Sequence, residues 1–184
     1  PQIKFNTKDT TYWLAVLDHN LPCDIKGLAL YKLFNFNYPQ LPQLLLDVYR
    51  SSNEWNLRLQ CLHLMAYYNN EGYYSQLLKL AVKDPYEFIR RKAAYYMGNV
   101  GSNEFVPYLV DLYMDDYLSE RIAFNVIRSA AMVNSDYFID VFSKKVENGG
   151  YVFNESSFKE KFIKQVQQNK KLQTMVLSMI LDNG

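Results

Sequence analysis

Four small residues set a register along this chain. Ala29, Cys61, Ala93 and Ala123 follow one another at a nearly constant interval, the last step being two places shorter than the first two. Each has a charged residue three places before it (Lys26, Arg58, Arg90, Glu120) and a large apolar residue four places after it (Leu33, Met65, Met97, Ile127). Offsets of three and four bring side chains to one face of an α-helix. A helical pattern returning with so long a fixed period describes a solenoid of stacked helix pairs, because one pair cannot bury its apolar face alone and its neighbours must cover it.

Composition narrows the alternatives. Among 184 residues there are only 7 Gly and 6 Pro, too few for the frequent turns of a sandwich or barrel. Apolar residues make up 49%, enough for a continuous core and unlike a disordered tail. With 20 basic and 19 acidic side chains the net charge is +1, so no strong field attracts nucleic acid or anionic lipid. Two cysteines, Cys23 and Cys61, cannot build a disulfide framework or a four-thiolate zinc site. Cys61 stands at the small-residue position and reads as a packed thiol. No apolar run is long enough to span a membrane. The chain opens Pro1-Gln2-Ile3-Lys4 without an apolar leader, the expected look of a piece excised from a longer protein; with no leader and no disulfide framework, a cytoplasmic setting is favoured.

The third repeat is the clearest. Asp84-Pro85 is a helix start, since Asp accepts from first-turn amides and Pro is preset for the first helical position. Ile89, Ala93 and Met97 then run along one face, and Gly98 and Gly101 are expected to end or loosen the helix. A second helix follows with Phe105, Val106, Leu109, Leu112 and Tyr113 inward. One step earlier, helices are expected over 55–68 and 73–82, with Tyr73, Leu77 and Leu80 inward. Two steps earlier they fall over 25–36 and 40–50, with Leu41, Leu45 and Val48 inward. Forward by the shorter step, they fall over 118–133 and 136–146, with Ile139 and Phe142 inward. The predicted organisation is a single domain: a half repeat or cap at 7–18, repeats at 24–51, 54–83, 85–115 and 117–147, and a C-terminal helical cap at 154–182.

The string Asp84-Pro85 … Ile89-Arg90-Arg91-Lys92-Ala93-Ala94-Tyr95-Tyr96-Met97-Gly98 resembles the HEAT and HEAT-like repeat family. Weaker copies stand at Leu57-Arg58 … Cys61 … Met65 and Ile25-Lys26 … Ala29 … Leu33, whereas the fourth puts Glu120 in the Arg place. The resemblance covers about residues 7–147 and implies an all-α, right-handed α-solenoid of HEAT-like helix pairs with helical caps, an armadillo-like superhelix. Its motif is structural and names no ligand. The basic row Lys26, Arg58, Arg90 is expected, as the family pattern implies, to pair with carboxylates or helix ends of neighbouring repeats.

Catalysis finds no footing in these residues. The metal-dependent hydroxylases of this fold need recurring His-Glu pairs, and the two histidines here precede Asn20 and Leu64. No Gly-rich phosphate loop, Ser-His-Asp set or Cys-His set occurs, and no metal or cofactor is expected. The expected function is therefore a non-enzymatic scaffold, a monomer, that docks a protein or peptide. The resemblance implies that second helices line the concave side. Their outward residues are Leu44, Gln76, Tyr108 and Phe138 in one row and Asp47, Lys79 and Asp111 in the next. Leu44, Tyr108 and Phe138 stand where a merely solvated face would be polar. The alternative is a nucleic-acid-associated protein using the lysine-rich end, Lys144, Lys145, Lys159, Lys161, Lys164, Lys170 and Lys171. Trp13 and Trp55 read as packing residues.

Overall fold

The computed structural model describes residues 10–68, 71–116 and 119–148; the cap expected at 154–182, with its five lysines, lies outside them, as do Tyr117 and Leu118. Nine α-helices occur among the described residues: α1 Thr10–Asp18, α2 Cys23–Asn35, α3 Leu41–Ser51, α4 Trp55–Tyr68, α5 Glu71–Ala81, α6 Glu87–Val100, α7 Val106–Asp116, α8 Glu120–Val133 and α9 Ser135–Asn148. One turn of 3-10 helix, Asn103–Phe105, leads into α7. The fold is all-α and of the α-solenoid class.

Two compact units divide between Ile89 and Arg90, within α6. In the first, α1 packs on α2, α2 and α3 form a pair, α4 packs on both α2 and α3, and α5 packs on α3 and α4. First helix thus lies on first helix and second on second, as repeat stacking requires. In the other unit, α7 packs on both α8 and α9, and α8 and α9 touch each other.

The local signals behave largely as their chemistry dictates. Ser119 caps α8, its side chain accepting from the Ile122 amide at 3.4 Å, and Ser102 does the same for Glu104. Asn37 closes the turn after α2 with φ of 52°, and Gly101 ends α6 with φ of 72°, a value most side chains disfavour. Gly98 does not interrupt its helix. It sits buried inside α6, and a Cβ there would lie 2.8 Å from the Ser129 Cα on α8, so its role is close approach of two backbones. Ser129 is itself buried and donates to the Ala94 carbonyl at 2.6 Å, and Arg128 stacks over the Tyr95 ring at 4.3 Å.

The core corrects the inward rows. In the second helices Leu41 and Leu45 of α3, Leu77 of α5 and Leu109 and Leu112 of α7 are buried as expected, joined by Leu46, Tyr49, Leu78, Ala81 and Val110. Val48 is only half-buried and Leu80 is exposed, and the residues that follow them, Tyr49 and Ala81, are buried instead. The fourth repeat is displaced further. Leu57, Cys61, Leu62 and Met65 in α4 are answered one full step on by Ile89, Ala93, Ala94 and Met97, all buried. The next buried quartet is Ile122, Val126, Ile127 and Ala130, three places beyond where the small-residue register puts it. Residue size misleads here: Ala123 and Ile127 imitate the small–large pair Ala93 and Met97, whereas Val126 and Ala130 fill those places. Phe138 consequently matches Phe105 and not Tyr108. It is 1% exposed, packed against Tyr113 and Phe142, and Ile139 is half-buried.

Candidate functional site

The expected docking residues fall in two sets, one in each unit. On α3 and α5, which pack together, Asp47 and Gln76 are exposed, while Leu44 and Lys79 are half-buried at the shoulder of the core stripe. Asp47 accepts two hydrogen bonds of 2.9 Å from Gln43 and lies 3.9 Å from Arg50, so its charge is partly engaged along its own helix. On α7, Tyr108 and Asp111 are half-buried. Asp111 accepts from Lys145 of α9, an ion pair bridging two second helices. Phe138 belongs to the core and leaves the set; Val141, which follows Tyr108 by the same lengthened step, is the half-buried residue at the corresponding place. Lys144 pairs with Asp140 at 2.8 Å, so both described lysines of the basic end are neutralised on α9 or by α7.

The basic row carries the strongest electrostatics. Arg58 of α4 is buried and forms a two-pronged pair with the buried Asp84, Nε to Oδ2 at 2.7 Å and Nη2 to Oδ1 at 2.9 Å. Its Nη1 also donates to the Ser52 carbonyl at 3.1 Å. Tyr49 at the end of α3 donates its hydroxyl to Asp84 Oδ2 at 2.6 Å, and the Tyr86 amide donates to Oδ1 at 2.8 Å. Burial pushes the Asp84 carboxyl up, but the donors from Arg58, Tyr49 and Tyr86, with the Arg58 charge, outweigh it and hold the pKa below the usual carboxylate range. The Arg58 guanidinium is raised by its hydrogen bonds to Asp84, against burial. Tyr49 is raised by burial first and by the neighbouring carboxylate second, so its hydroxyl remains a donor.

This cluster joins the end of α3, the body of α4 and the loop after α5. Asp84 thus does more than start a helix: it ties three segments of two successive repeats. One step earlier Ser52 stands in the Asp84 place and Lys26 in the Arg58 place, so the same set is not encoded there. Tyr49 carries no sequence signal of this role, because its equivalents are Ala81 and Tyr113. Beside the cluster Trp55 stacks on Tyr86, centroids 4.7 Å apart and planes 10° from parallel, both rings part-exposed; Trp13 is buried. Cys61 is fully buried, and burial raises its thiol, which keeps it protonated.

Among the described residues no three His, Cys, Asp or Glu side chains come together to hold a metal ion, and no helix is long and apolar enough to cross a membrane.

Stacked helix pairs, a fixed period and a buried Arg–Asp clamp between successive repeats define a helical-repeat protein. Residues 42–131 match the family model of HEAT repeats. HEAT repeats generally serve as scaffolds for protein interaction. No curated protein matches the chain.

Proposed function

We propose that this chain is a non-catalytic scaffold that docks a protein or peptide on the outward faces of its second helices. Leu44, Asp47, Gln76 and Lys79 offer one patch on α3 and α5, and Tyr108 and Asp111 offer another on α7. The observation that carries the reading is the combination of part-exposed Leu44 and Tyr108 with charged neighbours on the same helices. An apolar anchor rimmed by polar groups is the usual anatomy of a protein contact. Charges on these helices are of both signs, which suits a peptide better than a polyanion.

The test compares three proteins in affinity capture from the native host: the parent, Tyr108→Ala and the double variant Lys161→Glu/Lys164→Glu. Tyr108→Ala is expected to lose the captured partner, since truncating an aromatic anchor removes about 2 kcal/mol or more of binding. The melting temperature should change little. Loss of the partner by the lysine double variant, with Tyr108→Ala retaining it, would transfer the function to the basic end and favour nucleic acid.

A further inference from the structure

Trp55 opens α4, and Tyr86 lies in the loop before α6. Trp55 is 38% exposed and Tyr86 44%, and the two rings stack on each other with planes 10° from parallel. Each ring gives one face to the other and leaves much of the rest to water. The repeat register does not call for this pair. One step back its places hold Cys23 and Glu54; one step on they hold Glu87 and, by the lengthened step, Ser119. What the clamp takes from Tyr86 is its backbone amide, a donor that any residue but proline supplies. Two exposed rings that the repeat pattern does not use mark an interaction surface.

Charge selects the occupant. Glu54, directly before Trp55, is exposed, and its carboxylate has no hydrogen-bond or ion-pair partner among the described residues. Glu87, directly after Tyr86, is exposed too. Lys83, the cation of the same loop, is already engaged within the chain, as is Glu87. An aromatic face beside a free carboxylate attracts a cation and repels phosphate, which favours a basic side chain over a stacked nucleotide. Arginine fits better than lysine, because its planar guanidinium stacks on a ring while its fork of donors meets a carboxylate. The second unit holds the same kind of arrangement within the chain. There Arg128 lies over the Tyr95 ring at 4.3 Å and donates to Asn99 Oδ1 at 3.0 Å.

We infer that the Trp55–Tyr86 stack docks an arginine side chain from a basic segment of a partner protein. The guanidinium lies on the open face of a ring, and the Glu54 carboxylate accepts from its fork. Glu87 adds negative potential on the other side of the pair, so a segment carrying more than one arginine is preferred. This site shares no residue with the patches on α3, α5 and α7, and neither reading depends on the other.

The two tryptophans of the chain report separately, Trp13 from the core and Trp55 from the surface. Their indole N–H signals are followed by nuclear magnetic resonance in the full chain while a blocked peptide of alternating glycine and arginine is titrated in. The expected result is saturable movement of the Trp55 signal, with a Kd on the order of 1 mM, while the Trp13 signal stays in place. Lysine in place of arginine should weaken binding about threefold. Citrulline, which keeps the planar shape without the charge, should weaken it about tenfold. Glu54→Gln should weaken binding of the arginine peptide about threefold and, at an exposed position, melt like the parent. Absence of saturation up to about 10 mM, equal binding of the citrulline peptide, or indifference to Glu54→Gln overturns the inference. So does movement of the Trp55 signal by oligothymidylate and not by the arginine peptide, since the rings would then stack bases.

Discussion

Replacing Arg58 by alanine tests the clamp between repeats. The variant deletes both prongs on Asp84 and the donor to the Ser52 carbonyl, while the Asp84 carboxylate stays buried and keeps the Tyr49 hydroxyl and the Tyr86 amide. Breaking one side of a buried pair costs about 3–5 kcal/mol. Protonation limits the loss: keeping a carboxyl of ordinary pKa about 3.9 neutral at pH 7 costs about 4 kcal/mol, so the buried charge contributes no more than that. The expected destabilisation is therefore about 3–4 kcal/mol, or roughly 6–16 °C in melting temperature for a chain of this size. Urea and thermal unfolding of Arg58→Ala, Asp84→Ala and the double variant should show the two losses to be strongly non-additive, with a coupling of about 2 kcal/mol.

Acid gives the same reasoning a sign. In the parent the folded pKa of Asp84 lies below its unfolded value. Its contribution is full above the unfolded pKa and is lost as pH falls through the folded one. In Arg58→Ala the strongest donor is gone and burial raises the carboxyl. The variant then sheds its unfavourable charge as pH falls, and its deficit relative to the parent should shrink between pH 7 and about pH 4. Additive losses, or a deficit of constant size over that range, would refute the account of Arg58 and Asp84 as one buried electrostatic unit.

The two buried glycines should respond differently to alanine. At Gly98 the new methyl meets backbone, the Ser129 Cα at 2.8 Å, so Gly98→Ala should cost about 1–3 kcal/mol in denaturant unfolding. At Gly27 the obstacle is the end of the Gln60 side chain, which can swing away, and the gain in helix propensity of up to about 1 kcal/mol makes Gly27→Ala close to neutral. Phe138→Ala should lower stability by about 3–5 kcal/mol, as for a core phenylalanine; a variant that melts like the parent would return Phe138 to the surface. Cys61→Arg should abolish the cooperative circular-dichroism melt, since a fully buried site cannot accommodate an unpaired cation.

The helical periodicity and the recurring small residue determined the all-α class, and the expected element over 55–68 coincides with α4. Those features are local, and a register carried by several repeats survives any single substitution. Burial on each helix was less legible. A shift of one residue rotates a helix by about 100°, enough to carry Leu80 outward and Tyr49 inward. In the fourth repeat, equivalent places hold different sizes: Ala94 and Met97 become Ile127 and Ala130. A core needs total volume filled more than any one place conserved in size, so matching by size chose the wrong step and put Phe138 outside. The clamp was only half visible. Arg58 and Asp84 could be read as a charged row and a helix start, but their union with Tyr49 depends on three segments meeting in space, and no spacing in the chain encodes that meeting. Local spacing therefore determined which segments are helices, whereas tertiary packing decided which side of each helix is core and which charges lose their water.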